Sequence, residues 1–220
     1  VEQTERHGVY IVGYTDGTFG PSRSMTRSEA AAIFARLLAE KNGDTISTAA
    51  NTKFADIPAH AWYSGYVKYL SNNGIAYGKS KTIFAPNDAI TRAEFTTMAV
   101  RFFDVYGDGD AEIMEQFSGF NDVSSGYWAA EYIKYAALHG WINGYGDGSF
   151  HADREINRAE VVTIVNRLLG READEDYIAD NLRKLNTFPD VSRKHWAYYA
   201  VMEAANAHTA VLGENESWSK

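Results

Sequence analysis

The chain has 220 residues, is 45% hydrophobic and carries a formal net charge of −8. That size and apolar content suit one or two folded domains and exclude a disordered chain. The acidic balance excludes general nucleic-acid binding, which needs basic surface. The lack of cysteine excludes a disulfide scaffold and thiolate metal sites.

Residues 1–8, VEQTERHG, are polar and lack the shape of a secretory signal, which reads as a leader already removed or an excised segment. The first element is a glycine-rich turn, GYTDGTF at 13–19, in which Gly13 and Gly17 serve turn geometry around Tyr14. Then comes TRSE at 26–29. Thr26 is a good N-cap and Glu29 completes a capping box. Behind it Ala30, Ile33, Phe34, Leu37 and Leu38 form a one-sided apolar stripe, which predicts a helix from Arg27. Residues 44–53 are a linker. Phe54, Asp56 and Trp62 then open a different segment, F-x-D leading to tryptophan. Trp62, Tyr66, Tyr69 and Leu70 fall on one face and predict a shorter helix.

The same parts return twice. The turn AYGKSKTIF ends at Phe84, and TRAE at 91–94 starts a helix with Phe95, Met98, Ala99, Phe102 and Phe103 on its apolar face. After a linker at 107–119 come Phe120, Asp122 and Trp128, with Tyr132, Tyr135 and Ala136 following on one face. The turn GYGDGSF at 144–150 holds Gly144, Tyr145 and Gly148. NRAE at 157–160 starts a third helix with Val161, Ile164, Val165, Leu168 and Leu169. A linker at 171–187 is long enough for a short solvated helix. Phe188, Asp190 and Trp196 open a last helical segment to residue 207.

A period of about 65 residues marks a repeat protein. The chain begins inside a second half-repeat and ends after a first half-repeat, so an apolar helix face at each end needs a cover. The expectation is one all-α domain over 1–220, a closed pseudo-threefold bundle of three helix–loop–helix repeats. Repeat 1 is 9–43 completed by the C-terminal helix of 188–208, repeat 2 is 54–106 and repeat 3 is 120–170.

Arg27, Arg92 and Arg158 stand in the first helical turn, where a cation opposes the helix dipole at a cost of roughly 0.3–1 kcal/mol. Two explanations stay open. A bound carboxylate offsets the cost, since arginine presents a planar fork. Alternatively each arginine pairs structurally with Asp56, Asp122 or Asp190. Arg36, Arg101 and Arg167 recur half a helical turn away and read as surface or inter-lobe salt bridges. Trp62, Trp128 and Trp196 are core residues or flat groove walls for a sugar ring. The aspartates of F-x-D are turn residues first and groove residues second. Lys79 and Ser80 stand where the other turns have Asp-Gly. Residues 104–115 match a calcium loop only in part, through Asp104, Asp108, Gly109 and Glu115. Asn215-Glu216-Ser217 fits a glycosylation signal formally. The histidines His7, His60, His139, His151, His195 and His208 share no ligand spacing, so neither metal nor cofactor is expected.

The TRAE boxes, the GYxDGxF turns and the F-x-D…W leads together resemble S-layer homology domains, over roughly 9–43, 54–106, 120–170 and 188–208. The resemblance implies a non-catalytic anchor that comes in threes, forms a three-lobed helical bundle and holds exported proteins on bacterial cell walls. It implies an anionic secondary cell-wall polysaccharide as partner, often bearing pyruvylated N-acetylmannosamine and bound in grooves between lobes, with the box arginine as main contact. Tyr14, Gly144, Tyr145, the three aspartates and the three tryptophans are the further candidate binding residues, and Arg158 has the most complete setting. No membrane span and no catalytic residue are expected, and the expected location is extracellular, in the wall or surface layer. The alternative is a helical interaction module of an envelope protein; a polysaccharide-degrading enzyme is the weaker third reading.

Overall fold

The structure is a computed structural model and describes residues 3–107, 117–213 and 216–219. Most of the calcium-loop match and Asn215 of the glycosylation signal lie outside the described residues. Two compact units are formed, one from 24–156 and one from residues 1–23 together with 157–220.

Among its described residues the 24–156 unit contains four helices, α1 (Arg27–Asn42), α2 (Ser64–Asn72), α3 (Arg92–Tyr106) and α4 (Ala130–Leu138). α1 packs on α2 and α3, and α3 on α4. Phe34 of α1 fills the centre, with ring centroids 5.4 Å from Phe95 and 4.8 Å from Phe102. Met25, Ile90 and Ile156, each just before a capping box, are wholly buried. Their backbones form a closed ring: Met25 N–H donates to Ile156 O (2.9 Å), Ile156 N–H to Ile90 O (3.0 Å) and Ile90 N–H to Met25 O (2.9 Å). The ring satisfies polar groups that burial would otherwise strand.

The second unit holds β1 (Gln3–His7), α5 (Arg158–Leu169), α6 (Glu175–Asn181), a 3₁₀ turn at Leu182–Lys184, α7 (Tyr198–Ala205), β2 (His208–Leu212) and β3 (Ser217–Ser219). The linker at 171–187 does carry a short helix, capped by Asp174. α7 packs on α5. The N-terminal turn is met by the last F-x-D segment: Phe19 and Phe188 rings lie 5.3 Å apart, and Tyr10 N–H donates to Ala204 O at 3.3 Å. β1, β2 and β3 form an antiparallel sheet in that order, with His7 opposite His208 and Ala210 opposite Trp218. Where β2 begins, the buried His7 imidazole touches two carboxylates. Burial works to lower its pKa, but hydrogen bonds to Glu203 and Glu216 outweigh that and raise it to about 9.

This sheet corrects the all-α expectation: the described fold is mainly helical with a small terminal sheet. The sequence hid it because β1 is polar and exposed except at His7, so backbone pairing rather than an apolar pattern makes the strand. Of the fifteen predicted stripe positions in α1, α3 and α5, all but Phe103 and Leu169 are buried. The shorter helices differ from prediction by one residue. Their buried faces are Val67 and Leu70 of α2 with its N-cap Tyr63, and Ile133 and Ala136 of α4 with its N-cap Ala129. The helix begins two residues after each tryptophan, so the tryptophan lies in the preceding turn and off the stripe.

Candidate functional site

The capping boxes are all formed, and they aim the arginines. Thr26 Oγ1 accepts from Glu29 N–H (3.2 Å) while Thr26 N–H donates to Glu29 Oε2 (2.8 Å). Thr91 with Glu94, and Asn157 with Glu160, repeat the exchange. With the first turn held, each arginine reaches a glycine-rich turn far along the chain. Arg27 donates from Nε to Phe84 O (2.9 Å) and from Nη2 to Tyr77 O (2.8 Å). Arg92 does the same to Phe150 O (2.8 Å) and Asn143 O (3.3 Å). Arg158 does so to Phe19 O (2.8 Å) and Val12 O (2.7 Å). The guanidinium lies over the phenylalanine ring each time, at 4.9, 4.5 and 4.7 Å. Arg27, Arg92 and Arg158 are only 4–5% exposed. The arginine fork is therefore a structural clamp on the turn.

The aspartates grip the same residue from its other side. Asp56 accepts the amides of Phe84 (2.9 Å) and Ala85 (2.7 Å). Asp122 accepts those of Phe150 and His151, both at 2.7 Å, and Asp190 those of Phe19 (2.9 Å) and Gly20 (2.7 Å). Each turn phenylalanine thus gives its N–H to an aspartate and its C=O to an arginine. The residue after it is left-handed in all three copies: Gly20, Ala85 and His151 have φ of 68°, 59° and 55°. Burial pushes the Asp122 carboxyl up, but the two amides outweigh it and hold the pKa below the usual carboxylate range. In the turns themselves, the hydroxyl and amide of Thr18 lower Asp16, and those of Ser149 lower Asp147.

Tyr14 and Tyr145 lean over Arg158 and Arg92, at 4.7 and 5.2 Å. The second turn differs, and its register needs correcting. Gly13, Gly78 and Gly144 have one environment. A Cβ added to them would lie 2.8, 2.3 and 2.6 Å from the carbonyls of Thr18, Ile83 and Ser149, and 2.5–2.6 Å from the rings of Phe188, Phe54 and Phe120. Lys79 therefore takes the tyrosine position, and the Asp-Gly positions fall to Lys81-Thr82 rather than Lys79-Ser80. Ser80 Oγ accepts the Ile83 amide (3.1 Å) and does the capping. Gly78→Ala is expected to cost about 1–3 kcal/mol in a urea melt, since the contacted carbonyl belongs to the backbone and cannot move away. An unchanged melt would show that the turn has slack.

Beside Arg27 lies a cavity of about 300 Å³, lined among others by Tyr77, Lys79, Glu94, Arg101 and Trp128. Arg27 Nη1 meets Glu94 Oε1 at 3.1 Å. Arg101 is stacked on Tyr77 at 4.4 Å and donates to the Tyr132 hydroxyl at 3.2 Å. Arg27 and Arg101 thus border one cavity. The half-turn separation holds within one helix, but Arg27 is on α1 and Arg101 on α3. Arg36 stacks on Tyr66 at 5.0 Å. Of the cations at the cavity, Arg27 pairs with Glu94, Lys79 pairs with Asp88 at 2.8 Å, and Arg101 sits on Tyr77 and Tyr132.

Trp62, Trp128 and Trp196 are 52%, 57% and 65% exposed, which excludes the core reading. Gly144 and Tyr145 are exposed, and Tyr14 is half-buried. Among the described residues, no helix is long and apolar enough to cross a membrane.

The chain is similar in sequence to known proteins. The chain is 34% identical over 218 residues to Cell surface glycoprotein 1 of Acetivibrio thermocellus, covering 96% of this chain and 9% of the relative. It is 31% identical over 214 residues to the Cellulosome-anchoring protein of the same organism, covering 96% and 45%. Exoglucanase XynX, also from Acetivibrio thermocellus, is 32% identical over 159 residues, 72% of this chain and 14% of that enzyme. The chain thus spans less than half the length of each of these relatives. The S-layer homology domain model matches residues 1–31, 53–96 and 119–162, more than half of the chain. The chain belongs to the S-layer homology domain family, whose relatives here are bacterial cell-surface proteins and a modular enzyme.

Proposed function

We propose that this chain is a non-catalytic cell-surface anchoring module that binds an anionic, pyruvate-bearing polysaccharide of the bacterial cell wall. The observation that carries the reading is the cavity shared by Arg27, Lys79, Arg101 and Trp128. A sugar carboxylate finds a charge-assisted donor on Arg101 and a second on Lys79 by taking the place of its solvent-facing partner Asp88, and the exposed Trp128 ring offers the sugar a flat apolar face. Arg27 shapes the turn and adds charge, because its fork already spans two carbonyls and Glu94. Arg92 and Arg158 hold the equivalent turns beside Tyr145 and Tyr14. Asp56, Asp122 and Asp190 act as turn clamps that position these surfaces, with Trp62 and Trp196 as the other flat faces. Three weak sites along one polymer raise avidity by about 10²–10⁴ through effective concentration, which suits an anchor better than a catalyst.

Co-sedimentation with purified wall polysaccharide tests this. Trp128→Ala and Arg101→Ala are each expected to weaken binding roughly threefold to tenfold, ~0.5–1.5 kcal/mol, while the melting temperature stays put. Free pyruvylated disaccharide should compete. Wild-type binding by both variants would sink the cavity as the site. Equal sedimentation with wall material stripped of its polysaccharide would favour a protein-interaction module.

A further inference from the structure

The two ends of the chain meet around four ligand-bearing side chains. His7 ends β1, Glu203 is in the last turn of α7, His208 begins β2 and Glu216 precedes β3. Their ligand atoms all lie within 4.8 Å of one another, with His7, Glu203 and His208 buried and Glu216 nearly so. His7 Nδ1 is 3.2 Å from Glu203 Oε1 and 3.3 Å from Glu216 Oε1. His208 Nε2 is 3.3 Å from Glu203 Oε2, 3.3 Å from Glu216 Oε1 and 3.2 Å from His7 Nδ1. Ligands bonded at about 2.0–2.1 Å to a tetrahedral zinc ion stand about 3.3–3.4 Å apart, so with one Glu203 oxygen as ligand four of the six edges are nearly matched.

The surroundings orient the set. His208 Nδ1 lies 3.0 Å from Asn206 O, and a carbonyl only accepts, so Nδ1 carries the hydrogen and Nε2 turns toward the centre. Asn206 is itself held by Asn186 and by Met202 O. Glu216 accepts from Trp218 Nε1 (3.1 Å) and, through its other oxygen, from Glu172 N–H (3.0 Å). The Trp218 ring stacks on His208 at 3.8 Å and closes one side. Both oxygens of Glu203 are fully buried, and the partners that face them are the two imidazoles.

We propose that His7, Glu203, His208 and Glu216 form a binding site for a divalent transition-metal ion, best matched to Zn²⁺, which staples β1 to the C-terminal strands. Two imidazoles and two carboxylates suit zinc better than magnesium or calcium, which take oxygen ligands in larger number. Because the site needs both ends of the chain, the ion binds the folded state and raises its stability.

The test uses the full chain, stripped with chelator and titrated with Zn²⁺. One zinc per chain is expected by elemental analysis, with a melting temperature several degrees higher than in chelator. Co²⁺ should develop the visible absorption of a four-coordinate ion. Glu216→Gln keeps the shape and an acceptor for Trp218, and is expected to weaken zinc binding at least tenfold; His208→Ala should abolish it. Circular dichroism and retained polysaccharide binding report that each variant is folded. A folded chain that takes up no zinc at micromolar free ion overturns the proposal. So does equal uptake by both variants, or a response to Ca²⁺ or Mg²⁺ alone.

Discussion

Arg158→Ala should destabilise the unit built from the two chain ends by about 2–4 kcal/mol in chemical denaturation. The guanidinium gives charge-assisted hydrogen bonds to Phe19 O and Val12 O. Each such bond contributes about 1.5–3 kcal/mol, and water entering the emptied space returns part of the loss. The ring contacts with Phe19 and Tyr14 at 4.7 Å go as well. Arg158→Lys should recover only part, because an ammonium is a point charge and cannot span two carbonyls with one planar fork. Arg27→Ala and Arg92→Ala should behave similarly, since they make the same pair of bonds. This bears on any binding assay. A polysaccharide defect in an arginine-to-alanine variant speaks to recognition only when the melt shows the turn still formed. An Arg158→Ala melt within 0.5 kcal/mol, roughly the scatter of neutral surface substitutions, would refute the clamp.

Truncation after Asn186 is expected to abolish cooperative unfolding of that same unit. The cut removes Phe188, Asp190, α7 and two strands. With them go the buried Tyr198, Val201, Met202 and Trp218. Burying each large side chain stabilises by about 1.5–3 kcal/mol, so these four alone match the 5–15 kcal/mol that usually holds a whole domain together. The Phe19 and Gly20 amides also lose their carboxylate acceptor. Hydrogen exchange gives the cleanest readout: α5 amides should lose protection, because α7 covers that helix. Protection of α5 at the wild-type level after truncation would mean that its packing does not depend on α7.

Much of the helical architecture was legible because it is local. A capping box and a one-sided stripe involve residues within a few turns, so Thr26, Arg27 and Glu29 announce their helix without tertiary help. The repeat made each such reading three times over, and the family resemblance rested on the same residues. The misplacements share a cause. Trp62 was set on the helix stripe because spacing shows a period but not where the helix starts. Lys79 was aligned two residues late because the turn's anchor, Gly78, is defined by a close approach of Phe54 and Ile83 O that no local pattern reveals.

The chain's own order of residues determined the three helix starts, the identity of the turns and the arginine at each first turn. Tertiary structure alone decided what those arginines do. Their partners lie 50 or more residues away for Arg27 and Arg92, and 139 and 146 residues away for Arg158. It also brought Arg101 into one cavity with Arg27, and joined His7 to His208 across 201 residues. Spacing along a chain reports on neighbours within a helix or a turn. A site made by elements that meet only after folding leaves no periodic signal to read.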